Sequence, residues 1–115
     1  MADNILGFTI GHRWSDQSAE YYLLHGISPG GFLEAVICND LFLAASRSDY
    51  INRPILAEVA LAVYHNFPAM SLGRENYTNW IRDKDGIRSK YRREREKDFT
   101  FRSLKGTANA KTPWF

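Results

Sequence analysis

Only one cysteine, Cys38, occurs in the chain. That excludes an intramolecular disulfide and the paired CxxC ligands of a zinc site. It fits a reducing, intracellular setting. No basic, apolar and small-residue pattern of a signal peptide opens the sequence, and no apolar run approaches the ~20 residues of a membrane span, so no membrane contact is expected. Phosphate loops are missing too: Ser28-Pro29-Gly30-Gly31-Phe32 has no Lys-Ser/Thr after it and is not GxGxxG. His12, His25 and His65 fall at no metal-ligand spacing, so no metal and no cofactor are expected. No nucleophile or second carboxylate accompanies Asp40 at readable spacing, which argues against an enzyme.

Basic residues are scarce in most of the chain. Residues 1–81 carry four basic and eight acidic side chains, a net of −4, whereas residues 82–115 carry eleven and five, a net of +6. The split predicts a compact body, 1–81, and a basic C-terminal extension, 82–115. At 115 residues the whole is one domain's worth of chain, long enough to bury a modest core.

What is present is helical patterning. Ser15–His25 reads as a helix, with Ser15 or Asp16 to cap it and Gly26 to stop it. A central helix is expected from Ser28-Pro29 to about Ser46, and another from Asn52 to Asn66, with Ile55, Leu56, Val59, Ala60, Val63 and Phe67 on its inner face. A shorter one, Arg74–Arg82, offers Tyr77, Trp80 and Ile81. Asp85–Lys97 reads as a charged, solvated helix. The expected fold is mainly α, a compact bundle of three to four helices. The alternation in Asp98-Phe99-Thr100-Phe101 leaves room for a two-stranded ribbon between residues 98–104 and the N-terminal arm. Trp114-Phe115 is an apolar end suited to docking.

The central helix poses the main question. On a helical wheel it is apolar nearly all round, yet it holds Asn39 and Asp40. An all-apolar helix is central in its domain or sits in a homo-oligomer interface. A buried carboxylate needs partners, so Asp40 and Asn39 either close an internal network, through Arg47 or nearby caps, or line a ligand cavity. Ser28, Gly30, Gly31, Asn39, Asp40 and His65 are the candidate ligand residues, for a small nucleotide held between subunits. Arg88, Lys90, Tyr91, Arg92, Arg93 and Arg95 are candidates for contacting a partner or nucleic acid, although Glu94, Glu96 and Asp98 interleave with them. A solvated helix, or docking on a neighbour's acidic body, accounts for them equally.

Residues 21–81 resemble a family of small uncharacterised proteins of tailed bacteriophages. The resemblance rests on Tyr22, His25-Gly26-Ile27, Pro29-Gly30-Gly31-Phe32-Leu33, Ala35-Val36, Asn39-Asp40-Leu41, Asp49, Asn52, Leu56, Val59, Tyr64-His65-Asn66, Pro68, Gly73 and Trp80-Ile81. It covers about half of the chain, and its PGGFLxAVxxNDL core is the most specific part. Pro54 departs from the helical residue usual at its place, and the basic tail looks like an addition. No activity or catalytic residue comes with the resemblance. It implies a phage protein at work in the host cytoplasm, or alternatively in the virion. The expected function is counter-defence or host takeover by sequestering a host protein or a small nucleotide signal. The alternative is a virion structural or assembly protein docking through its basic tail.

Overall fold

The computed structural model describes residues 5–11 and 13–111, with backbone alone for 13, 14 and 102–111. His12 and Trp114-Phe115, singled out above, lie outside the described residues. Six α-helices follow one another: α1 (Arg13–His25), α2 (Gly31–Ile37), α3 (Leu41–Arg47), α4 (Leu56–Asn66), α5 (Arg74–Ile81) and α6 (Ile87–Lys111). Short 3-10 turns precede α4, α5 and α6. The expectation of a mainly α chain holds. The expected count of three to four helices was too low, and the expected ribbon does not form.

The ribbon fails for a local reason. Residues 98–104 continue α6. Alternation there lasts only five residues, Asp98 to Arg102, while Arg92–Glu96 (3.2 Å) and Arg95–Asp98 (3.8 Å) carry helical charge spacing up to it. The N-terminal arm is irregular instead: Leu6 and Ile10 are buried, and Phe8 packs on Phe67 at 5.8 Å. Asp16 does not cap α1. Its carboxylate accepts from the Ile10 and Gly11 amides and pins the arm to the helix.

The count is low chiefly because the central helix is two. The ladder of α2 ends at Cys38, Asn39 takes a left-handed φ of 60°, and the chain turns. Asn tolerates that conformation better than most side chains. Asp40 then caps α3, its Oδ1 accepting the Leu43 amide at 3.0 Å. A buried carboxylate in an unbroken helix is therefore not what the Asn-Asp pair represents. It is a hinge between two seven-residue helices that pack on one another. With the continuous helix goes the all-round apolar surface from which an oligomer was argued.

The core is aromatic at its centre. Tyr22 is fully buried, stacks on Tyr77 (5.3 Å) and Phe67 (6.4 Å), and lies against Trp80 (6.3 Å). Both polar tips are satisfied: the Tyr22 hydroxyl donates to the Ser71 carbonyl at 2.6 Å, and Trp80 Nε1 donates to the Tyr22 carbonyl at 3.1 Å. Burial pushes the Tyr22 hydroxyl far above its ordinary range, so it remains a donor. Val59, Val63 and Phe67 close the core from the α4 side, on the face the periodicity predicts. Helix α4 begins at Leu56, not Asn52. Asp49 accepts from the Ile51 and Asn52 amides, and Pro54 sits in the 3-10 turn before the helix.

Candidate functional site

Of the six residues expected to hold a ligand, Asn39 and His65 line different cavities. Gly30 adopts φ of 96° at the entry to α2, a conformation that favours glycine. A Cβ on Gly31 would meet the Arg47 side chain at 3.3 Å, and Arg47 Nη1 donates to the Gly31 carbonyl at 3.0 Å. The close approach is at Gly31 alone, a Cβ on Gly30 meeting nothing within 4 Å, and Arg47 there braces α3 against the start of α2. Ser28 accepts from the Tyr77 hydroxyl at 3.3 Å. Asp40 caps α3 and lies 3.8 Å from Arg74, which also reaches Glu34 at 3.4 Å. Asn39 is exposed and lines one groove, whereas His65 lines a different cavity with Phe8, Tyr91 and Arg95.

The expected basic surface also divides. Arg88 faces inward: Nε donates to the Trp80 carbonyl at 3.0 Å, Nη1 to Leu24 and Nη2 to Ile81, both at 3.4 Å. One guanidinium thus meets carbonyls at the ends of α1 and α5, of which that of Trp80 also accepts the Asp83 amide, and its positive charge complements the helix dipoles. It lies against Gly26 so closely that a Cβ there would stand 2.7 Å from Nε. Tyr91 packs edge-on against Trp80 at 5.4 Å, and burial raises its hydroxyl. Core contacts therefore cross the expected 81/82 boundary. Arg92 pairs with Glu96, and Arg95 sits over the Tyr91 ring at 5.9 Å and near Asp98. Lys90 and Arg93 remain exposed, lining a groove between α5 and α6.

A second surface was not anticipated. Leu41 is 64% exposed, Phe42 86% and Tyr64 71%, and Tyr50, Ile51 and Leu61 are also mostly in solvent. Most of the exposed large apolar side chains described belong to this stretch, from the start of α3 to α4. Beside it runs a groove of about 530 Å³ lined by Ile37, Asn39, Leu61, Tyr64 and Leu72. Sequence reasoning expected this stretch in the core or in an oligomer interface because it ran one helical wheel through Asn39-Asp40. The signal was available: Asp40 followed by an apolar run is an N-cap pattern, and a cap restarts the wheel.

Cys38 is buried, and desolvation raises its thiol, as befits a small core residue. Among the described residues, no group of three or more His, Cys, Asp or Glu side chains gathers to hold a metal, and no helix is long and apolar enough to cross a membrane. No family model, curated protein or solved structure matches the chain.

Proposed function

We propose that this protein works by binding rather than by catalysis, and that it occupies another protein through its α3–α4 side. The observation that carries this reading is the exposure of Leu61 and Tyr64 in the wall of the 530 Å³ groove, together with that of Leu41 and Phe42 on α3. Exposed apolar and aromatic residues in the wall of a concave surface, as Leu61 and Tyr64 are, have the composition of an interface centre. A groove bounded by helices suits an amphipathic helix of the partner, anchored by apolar side chains at helical spacing. In the tailed-phage setting that the sequence resemblance implies, the partner is a protein of the infected cell, sequestered as part of host takeover. Docking inside a virion is the alternative that setting leaves. A nucleotide pocket built from Ser28, Gly30, Gly31, Asn39, Asp40 and His65 draws no support from the cavities described, in which Asn39 and His65 stand apart.

The test is capture followed by reconstitution. Full-length chain and its Phe42→Asp and Leu61→Asp variants are used as bait, and the captured protein is then purified and titrated against each. The expected result is binding by the wild type and a loss of roughly 30-fold or more in either variant, as for an interface hot spot. Equal binding by all three chains overturns the reading. Sedimentation of the bare chain supplies a further check. A dimer that dissolves on Phe42→Asp reassigns this face to self-association.

A further inference from the structure

We propose a second, independent site: the groove between α5 and α6 binds a mononucleotide. The groove has a volume of about 480 Å³, within the range of roughly 300–1,000 Å³ that small-molecule clefts occupy. Its walls are two i,i+3 pairs, Asn76 and Asn79 on α5 and Lys90 and Arg93 on α6. Residues at that spacing share a helix face. Lys84 adds a third cation from the turn before α6, and Met70 and Ile87 supply apolar surface. Asp85 is the single carboxylate in the lining.

Three features fit a phosphate joined to a flat base. Among the described residues, Lys84, Lys90 and Arg93 make no ion pair, unlike Arg92 and Arg95 on the same helix. Their charge is free for an anion, and Arg and Lys are the side chains that bind phosphate. The Asn79 carboxamide makes no hydrogen bond among the described residues, and Asn76 uses only its Nδ2, towards the Leu72 and Ala69 carbonyls. A free carboxamide offers the donor and acceptor that a base edge pairs with. Met70 and Ile87 give the base an apolar surface to lie on. The α6 amides take no part, because Asp83 already accepts those of Arg88 and Ser89.

A small ligand fits better than a nucleic-acid strand. Beyond the groove, Glu94, Glu96 and Asp98 interrupt the basic residues of α6, so no continuous track for a phosphate backbone leads away from it. The protein-docking face lies on other helices, so the two sites stand or fall separately.

Calorimetric titration of the full chain with adenosine and guanosine monophosphates tests the site. Inorganic phosphate, adenosine alone and a single-stranded oligonucleotide are the comparison probes. Saturable binding of one monophosphate is expected, with phosphate and nucleoside each at least roughly tenfold weaker, because each makes only part of the contacts. The double variant Lys90→Glu with Arg93→Glu should lose roughly tenfold or more, whereas Arg92→Glu, a charge reversal on the same helix outside the groove, should retain binding. Asn79→Leu should weaken the monophosphate but not phosphate alone. All these positions lie at the surface or groove wall, and a thermal melt verifies that each variant is folded. Phe42→Asp should leave the titration unchanged, which separates this site from the docking face. No saturable binding, or an equal loss in Arg92→Glu, overturns the proposal. So does tight, steeply salt-dependent binding of the oligonucleotide without the mononucleotide, which would make the surface a nucleic-acid contact instead.

Discussion

Tyr22 and Phe42 are both aromatic residues on helices, and they meet opposite fates. Tyr22 is wholly enclosed, stacked on two rings, and hydrogen-bonded at its hydroxyl and carbonyl. Phe42 is 86% in solvent and has no ring partner among the described residues. The same contrast separates two sides of the molecule. Where α1, α5 and the start of α6 meet, apolar surface is buried and polar ends are paired, down to the three carbonyls covered by Arg88. Where α3 and α4 face outward, apolar surface is left without cover. The first side stabilises the fold, and the second is the one we propose a partner covers. An apolar surface that does nothing for the free chain is the kind that binding selects.

If that division is right, the largest loss of stability comes from the enclosed side. Trp80→Ala removes the ring between Tyr22 and Tyr91 and takes from the Tyr22 carbonyl one of its two donors, the Gly26 amide being the other. A loss of about 3–5 kcal/mol is expected, enough to unfold much of the population of a small domain, and urea denaturation measures it. A loss below about 1 kcal/mol would mean that the aromatic cluster is not the centre of the core.

Arg88 comes next. Arg88→Met keeps most of the stem and removes the guanidinium from three carbonyls. The Trp80 carbonyl keeps the Asp83 amide, so the expected cost, about 1–3 kcal/mol by denaturant titration, comes from the part-buried Leu24 and Ile81 acceptors. Arg88→Lys should recover little of it, because an ammonium cannot reproduce the planar fork that meets acceptors on two helices. Full recovery by lysine would show that charge at the helix ends, rather than the fork, is what matters.

Asp83 tests the junction between the body and α6. Its carboxylate accepts from the Ser89 hydroxyl and from the Ser89 and Arg88 amides, and these bonds, the hydroxyl first, hold its pKa below the ordinary aspartate value. A depressed folded pKa contributes stability that is complete above the unfolded value, near about 4. That contribution is lost as pH falls through the lower folded value. Thermal melts between neutral pH and pH about 2 should therefore show an acid-side loss that Asp83→Asn has already suffered at neutral pH. Parallel curves for the two chains would remove Asp83 from the account of how α6 is held.

Much of this was legible in the sequence, and the failures share a cause. The inner face of α4, the buried Tyr77 and Trp80 of α5, and Gly26 as the stop of α1 follow from helical spacing and from glycine's freedom at positive φ, +67° at Gly26. Those are local rules applied to uninterrupted segments. The errors came where one short side chain changes the rule. Asp40 reads as a buried charge if the helix is continuous and as a cap if it is not, and only the Asn39 backbone decides between them. Arg88 reads as a surface cation in a basic run. Its inward turn depends on two helix ends that lie 64 and 7–8 residues away in sequence, and no local pattern contains them. Within the candidate sites, composition found Lys90 and Arg93 but had no means of pairing them with Asn76 and Asn79 on another helix.

The smallest expected effect is the most discriminating. Phe42→Ser removes a large ring from the surface, and if the ring contributes nothing to the free fold, stability should move by no more than about 0.5 kcal/mol. Phe42 lies in the first turn of α3, where serine has only a modestly lower helix propensity, so the backbone gives little reason for a larger change. Denaturation of the two chains side by side measures it, and the same samples can be compared for partner binding. A drop of about 2 kcal/mol or more would place the ring in contact with its own fold. The α3–α4 side would then belong with the enclosed one, and the division between a stabilising and a binding surface would dissolve. An unchanged midpoint with partner binding lost would show that the ring serves the complex alone, because a side chain that stabilises only a bound state leaves no trace in the unfolding of the free chain.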